Sequence, residues 1–569
     1  MNSLTQPTMQ SFDIKGDDAV KSTMQHVDLS ILDILEHGAQ NFGSTEVVAR
    51  YEDGTRVSTF AEIRRQAASL SAGLRELGVG VGDRVGTFAW NTKEHLESYF
   101  AVPSMGAVLH TMNPRFSTEQ LSWCVQDAQT SVAIVDSSLA EPFTELLERE
   151  LPFKAVIIYE NGEPLAGKKC ERLWRQAQRR GIEVRFYSEL VDAHHGEDAF
   201  QRVPEHAAAA LCHTSGTTGN PKGVAYSHRS IWLHSLLNTS AAQFGLSSQD
   251  TILPAVPMFH VMGWNLSFSA FMVGSRLILT NRWNQAEPLL QLIAEQEPTF
   301  GAGVPTIWND IAHRYEQGGE SYDLSSLQRI SSGGAAVPES LIHWWQQQHG
   351  ITIFHGCGMT ETSSTMTSGF PPGGIDLQEL SPYQRTQGQF LIGVQHRIVD
   401  EEGRELPQDG ETAGELQLRG PWITGAYLNR DEPAVTEDGW LPTGDIATIT
   451  ANGYLQYTDR SKDIIKSGGE WISSVALETR LVGHPGVHEA VVIGVDDARW
   501  QERPAAVVVC RGERPEISDL KAHLLEGFPK FWVPDEWIFV DEIPRTSVGK
   551  YDKKKLRADY RAGLLPQDS

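Results

Sequence analysis

The chain has 569 residues, enough for about three to five folding units at the usual domain size of roughly 100 to 200 residues. Its 48 Lys and Arg face 73 Asp and Glu, and the net charge of -25 opposes nonspecific binding to nucleic acid or to an anionic bilayer. The five cysteines form no C-x-x-C pair, no apolar run reaches the roughly 18 residues of a membrane span, and the first residues lack the features of a signal peptide, so a cytoplasmic protein is expected.

Short β-rich runs alternate with amphipathic stretches. The pattern predicts strands at 84–90, 107–111 and 131–136, with helices at 93–102 and 118–127 between them. Residues 213–223 interrupt it with three glycines, four hydroxyls and one lysine in eleven positions. Backbone N–H groups approach an anion closely where no Cβ intrudes, hydroxyls add neutral donors, and Lys222 adds a mobile charge, so the run suits a triphosphate. It is not the Walker loop, because Gly223 follows Lys222 where Ser or Thr would stand.

The alternation returns with strands predicted at 275–280, 329–332 and 351–355 and helices at 287–297 and 338–349. Such β–α repeats imply parallel sheets covered by helices, with ligands collecting beyond the strand ends. Gly356-Cys357-Gly358-Met359-Thr360-Glu361 follows one strand, where the Glu361 carboxylate could hold a hard cation beside phosphate or, equally, start a helix and complement its dipole. From about Gln395 close turn signals predict an antiparallel barrel or meander. Within it, Asp445 follows a Thr-Gly turn and could accept two hydrogen bonds from a ribose diol. After Asp459 the texture is again mixed α/β, and a boundary is expected near Lys462, giving domains 1–461 and 462–569.

Two further runs complete the series: 459–472, with Arg460, Lys462, Lys466, Ser467, Gly468, Gly469 and Trp471, and 544–550, which ends in Lys550. By composition alone Lys550 is a solvated lysine beside Lys553, Lys554 and Lys555. The five elements in this order resemble the adenylate-forming superfamily of acyl-CoA synthetases, peptide-synthetase adenylation domains and beetle luciferases, over roughly Ser58 to Arg557. Residues 467–474, 495–504 and 256–264 are most similar to medium- and long-chain fatty acyl-CoA synthetases.

The resemblance implies an α/β fold with a large N-terminal domain of two β-α sheet subdomains plus a small β-barrel, followed by a small mobile α/β domain. It implies a ligase that joins a carboxylate to AMP from ATP, with Mg2+, and then transfers the acyl group to coenzyme A. Carried over residue by residue, Thr214, Ser215, Gly216, Thr217, Thr218, Gly219 and Lys222 would hold phosphates, with Thr214 and Glu361 near magnesium. Gly334, Ala335, Gly356, Cys357, Gly358, Met359 and Thr360 would border the nucleotide, Asp445 and Arg460 would hold its ribose, and Lys550 would bridge carboxylate and α-phosphate. His260, Val261, Trp264 and Gly333 would wall the acyl pocket, with His260 beside the reacting carboxylate and Trp264 either gating the tunnel or packing in the core. Lys462 would be the hinge and Lys466, Ser467, Gly468, Gly469 and Trp471 would border the coenzyme A channel.

Two departures stand out. Cys357 occupies a place where relatives commonly carry tyrosine, and Met262-Gly263 replaces the Asn-Ala often seen before the tryptophan. The activity expected is therefore acyl-CoA ligation of a medium- to long-chain fatty acid. The alternatives are 3-methylthiopropanoate or another short or aryl acid, loading of a carrier protein, and a nucleotide sensor that has lost catalysis. A homodimer and peripheral membrane contact are further expectations, with no transmembrane segment and no nucleic-acid partner.

Overall fold

The computed structural model describes residues 23–214, 220–318, 322–369, 381–384, 386–467, 470–546 and 550–566. Ser215, Gly216, Thr217, Thr218, Gly219, Gly468 and Gly469, named above as site residues, lie outside the described residues.

Two seven-stranded sheets form the larger part. The first runs in the order 183–186, 155–159, 130–136, 84–88, 108–111, 208–213, 223–227, parallel throughout except for the last pair. Its central strands read Val132-Ala133-Ile134-Val135 and Val156-Ile157-Ile158, apolar on both faces because helices cover both sides. Helix Thr118–Ala128 starts on a capping box, with Ser117 Oγ accepting from Gln120 N while Gln120 accepts from Ser117 N. The second sheet has the order 352–356, 329–333, 300–303, 251–254, 276–279, 46–51, 54–59, with only the final hairpin antiparallel. Each helix and strand predicted through residue 355 is present within a few residues of its expected ends.

The turn-rich stretch forms a four-stranded antiparallel meander, 395–399, 414–419, 441–449 and 455–460. A smaller unit follows, built on strands 470–472, 465–467, 501–510 and 487–497, with 536–539 parallel to 501–510. Helices Ser474–Val482, Ile517–Leu525 and Lys553–Arg561 accompany it. Its two apolar clusters, around Val492 and Val507, draw on residues from 465 onward, whereas every other apolar cluster stops at Leu455.

Candidate active site

A cavity of about 520 Å3 opens where the two sheets, the meander and the small unit meet. Strands 329–333 and 352–356 deliver its floor, pairing Gly333 with Gly356. A Cβ on Gly333 would lie 2.6 Å from Gly356 O, so only glycine permits this approach. Beyond them Cys357, Gly358, Met359 and Thr360 line the wall, and His355 Nε2 donates to Ala335 O at 3.2 Å, fixing the turn from Gly334 onward.

Glu361 sits 8% exposed in a three-residue 3-10 turn, so the helix-start reading falls and a carboxylate facing the cavity remains. Tyr427 OH donates to Glu361 Oε1 at 2.7 Å, and the same ring lies 4.5 Å under Lys222 Nζ. The tyrosine ties Lys222, of the candidate phosphate loop, to the metal candidate. Nothing in its surroundings, a loop between Ile423 and Trp440, marked it in the sequence. The loop stems pinch together, since Thr214 N donates to Lys222 O at 2.9 Å and Lys222 N to Thr214 Oγ1 at 3.2 Å.

Asp445 and Arg460 pair across adjacent strands, with Nε 2.8 Å from Oδ1. Burial pushes the Asp445 carboxyl above its ordinary range against the pull of Arg460 and Lys550, while Asp445 raises Arg460 further. Lys550 reaches this place from the small unit. A Cβ on Gly334 would lie 3.5 Å from Lys550 Cε and 4.0 Å from its Nζ, so the solvated-lysine reading of its composition is corrected. Burial first, then the Arg460 charge, lowers its pKa, while Cys357, Asp445 and Glu361 raise it. The turn that presents it is closed by Thr546 N donating to Lys550 O at 2.6 Å. Burial pushes the Cys357 thiol up to about 12, which removes it as a thiolate nucleophile.

His260, Val261 and Trp264 line the side nearest Pro257 and Gly333. Burial, then the charges of Lys550 and Arg115, lowers His260 to about 3, leaving a neutral imidazole. Residues Val261 to Asn265 all have positive φ, 39°, 43°, 55°, 57° and 58°, a left-handed turn that costs about 1–2 kcal/mol per non-glycine residue. Asn238 Nδ2 donates to Trp264 O, and Asn265 Nδ2 donates to Ser363 O, which hold the turn. Trp264 is partly buried and packs beside the core while lining the cavity, and its ring tip would meet a Cβ on Gly333 at 3.7 Å.

Lys462 reaches the cavity rim, but Lys466, Ser467 and Trp471 are not among its walls. They occupy a hairpin in which Lys466 pairs with Trp471 and Ser467 Oγ accepts from Arg503. Tyr457, Gln387, Asn309 and Glu478 line the cavity without having been anticipated.

Residues 35–428 match the family model described as AMP-binding enzyme, and residues 476–550 match the AMP-binding enzyme C-terminal domain. The chain belongs to the AMP-binding enzyme family. This AMP-binding enzyme is 43% identical to a long-chain-fatty-acid–CoA ligase of Thermus thermophilus, covering 95% of the chain and 98% of that relative. It is 38% identical to a 3-methylmercaptopropionyl-CoA ligase of Ruegeria lacuscaerulensis and 36% identical to a medium-chain-fatty-acid–CoA ligase of Ectopseudomonas oleovorans, covering 98% of each and 94% and 96% of the chain. Its fold matches the crystal structure of the anthranilate CoA ligase AuaEII in complex with anthranoyl-AMP, with a TM-score of 0.82, 24% identity, and 96% and 99% of the two chains covered. The AMP-binding enzyme is thus an ATP-dependent acid–thiol ligase, an AMP-forming acyl-CoA synthetase.

Proposed function

We propose that this enzyme activates a medium- to long-chain fatty acid, first as the acyl-adenylate and then as the coenzyme A thioester. One observation carries the reading: Lys550 enters, from the small unit, the same cavity that Lys222, Glu361, Asp445 and Arg460 line from the large one. In the first step a carboxylate oxygen bonds to the α-phosphorus of ATP and the bond to pyrophosphate breaks. Lys550 neutralises charge accumulating on the five-coordinate phosphorus, Lys222 and Thr214 hold the outgoing phosphates, and Asp445 accepts from the ribose diol. In the second step the coenzyme A thiolate bonds to the acyl carbon and AMP leaves with the electron pair of the C–O bond.

Magnesium fits the donors present. Thr214 offers a hydroxyl and Glu361 a carboxylate whose Oε1 alone is engaged by Tyr427, and hard oxygen donors of this kind commonly leave most of the Mg2+ shell to phosphate and water. When bound, the ion would offset charge on the β- and γ-phosphates. Thiol attack needs room on the cavity side that Lys550 fills, so we place a hinge at Lys462, with domains 1–461 and 462–569, that withdraws Lys550 and brings the 466–471 hairpin to the pantetheine channel. Lys462 is exposed at the rim, which suits a residue solvated in both poses. A cytoplasmic homodimer completes the reading, supported by the free cysteine thiols and, for the dimer, by the family resemblance alone.

The apolar Val256, Val261, Trp264 and Val304 on the cavity wall favour an aliphatic acid, and the same wall would take the shorter 3-methylthiopropanoate. ATP–pyrophosphate exchange across a panel of carboxylic acids, followed by addition of coenzyme A, tests both. Exchange that needs an acid, with longest-lived turnover on medium or long chains, is expected; no acid-dependent exchange would defeat the ligase reading, and a preference confined to short thioether acids would replace the fatty acid.

A further inference from the structure

Helix Thr118–Ala128 touches both stems of the phosphate loop, a contact that catalysis as described above leaves unused. On the outgoing stem, Trp123 Nε1 donates to Pro221 O at 3.0 Å, and the Arg430 guanidinium lies 5.5 Å over the same indole. On the incoming stem, His213 Nε2 lies 3.2 Å from Asp127 Oδ2, and the pair is nearly sealed from solvent, with side chains 2% and 5% exposed. His213 immediately precedes Thr214, and its strand partner is Gly223, immediately after Lys222.

The buried groups behind His213 set its tautomer. An ionised Asp127 carboxylate only accepts, so His213 Nε2 carries the proton and, in a neutral ring, Nδ1 accepts. His110 Nε2, 3.1 Å away, must then donate, and His110 Nδ1 accepts from the Thr130 hydroxyl at 2.8 Å. Each of these links then has one donor and one acceptor in a single direction, from Thr130 through His110 and His213 to Asp127. The other Asp127 oxygen stands 3.9 Å from Arg430, and Asn429 Nδ2 donates to Asp127 O at 2.6 Å. The segment carrying Asn429 also holds Leu428, whose N donates to Gly223 O at 2.8 Å, and Tyr427, which touches Lys222 and Glu361. One helix thereby braces the loop before Thr214, after Asn220 and through the tyrosine beneath Lys222.

We propose that Asp127 and Trp123 are positioning residues that hold the two stems of the loop in register for a nucleoside triphosphate, Asp127 by fixing the tautomer of His213. This rests on the reading of residues 213–223 as a phosphate loop. Converting Asp127 to asparagine leaves one acceptor and one NH2 where His213 and Arg430 both demand an acceptor. Turning the NH2 to His213 reverses its tautomer, and His110 and the Thr130 hydroxyl must then reverse their donor and acceptor roles with it.

In steady-state ATP–pyrophosphate exchange, Asp127→Asn is expected to raise the KM for ATP about tenfold, the difference between a charge-assisted and a neutral hydrogen bond, with kcat and the KM for the acid within about twofold. Trp123→Phe, which keeps the ring and loses the N–H, is expected to raise the same KM by about threefold to tenfold. His213→Gln offers one acceptor and one donor and is expected to raise the ATP KM less than His213→Leu, which follows Asp127→Asn. An unchanged ATP KM in Asp127→Asn and Trp123→Phe, or parallel losses in kcat and both KM values, overturns the proposal. Should Asp127→Asn fail to fold, equal behaviour of His213→Gln and His213→Leu overturns it. Lys222→Ala separates the two levels: if it leaves the ATP KM unchanged the phosphate-loop reading fails, whereas a rise there without one in Asp127→Asn removes the positioning role alone.

Discussion

Replacing Lys550 by alanine deletes a cation that the small unit brings beside Gly334, and the structure sets the size of the loss. The ammonium is buried near Asp445, Glu361 and Arg460, so its interaction with a developing phosphorane is screened far less than at a surface. Removing one preorganised charge-stabilising group typically costs about 2.7–4 kcal/mol, about a hundredfold to a thousandfold in rate. Acyl-adenylate formation, followed by pyrophosphate release, should fall by that factor in Lys550→Ala. Thioester formation from supplied acyl-adenylate and coenzyme A should stay within about threefold of wild type, because the proposed hinge withdraws Lys550 in that step. The lowered pKa adds a pH signature: the free enzyme loses the Lys550 charge at a lower pH than an ordinary lysine, so the alkaline limb of kcat/KM for ATP should lie below the usual lysine range and vanish in the alanine variant. Equal loss in both half-reactions would refute a lysine that serves only the first.

Trp264→Ala opens the wall beside Gly333, and relative kcat/KM should shift toward longer or bulkier acids by about tenfold or more, since one methylene in an apolar pocket is worth about 1–3 kcal/mol; an unchanged acid profile returns the indole to the core. Gly333→Ala places a Cβ 2.6 Å from Gly356 O, and urea unfolding should show a loss of about 1–3 kcal/mol in the larger part, with exchange activity reduced as the floor shifts; full stability would mean that strands 329–333 and 352–356 part more easily than their register implies.

What the sequence revealed depended on how local its cause was. Strand 130–136 and helix Thr118–Ala128 were legible because continuous apolar residues and a Ser117–Gln120 capping pair act within a few positions. The run at 213–223 was readable as a candidate phosphate cradle because glycines and hydroxyls are the chemistry such a cradle needs. The left-handed turn at 261–265 was not, since Val261, Met262 and Trp264 favour other backbone conformations and are held there by Asn238 and Ser363, remote in sequence. Tyr427 and Asp127 were missed for the same reason: each acts through partners some 66 to more than 80 positions away, Glu361 and His213, and neither carries a local pattern. Lys550 lay between the two cases, its proposed role suggested by the residues before it and its burial visible only in the fold.

The way the two parts meet suits the proposed alternation of one cavity between two geometries. Among the described residues no apolar cluster spans them, and their junction is polar: Ser474 N donates to Asp459 Oδ2 at 2.8 Å, Arg511 pairs with Glu316 at 3.9 Å, and the rings of His313 and His488 stand 4.9 Å apart. Asp310 faces His488 and Glu489, with Arg545 offsetting the carboxylates. Only Arg511–Glu316 among these contacts between the parts is a partly exposed ion pair, worth about 0–1 kcal/mol, and without an apolar seam the proposed pose that buries Lys550 would be held by a small free-energy difference. A hydrophobic seam would hold it far more firmly and would slow the second step. Arg511→Ala should therefore leave both half-reactions active and move their rate ratio by about fivefold or less, read from single-turnover adenylation and thioester assays on the same preparation. Abolished adenylation in that variant would mean that this contact governs docking, and the small free-energy difference between poses would have to be abandoned.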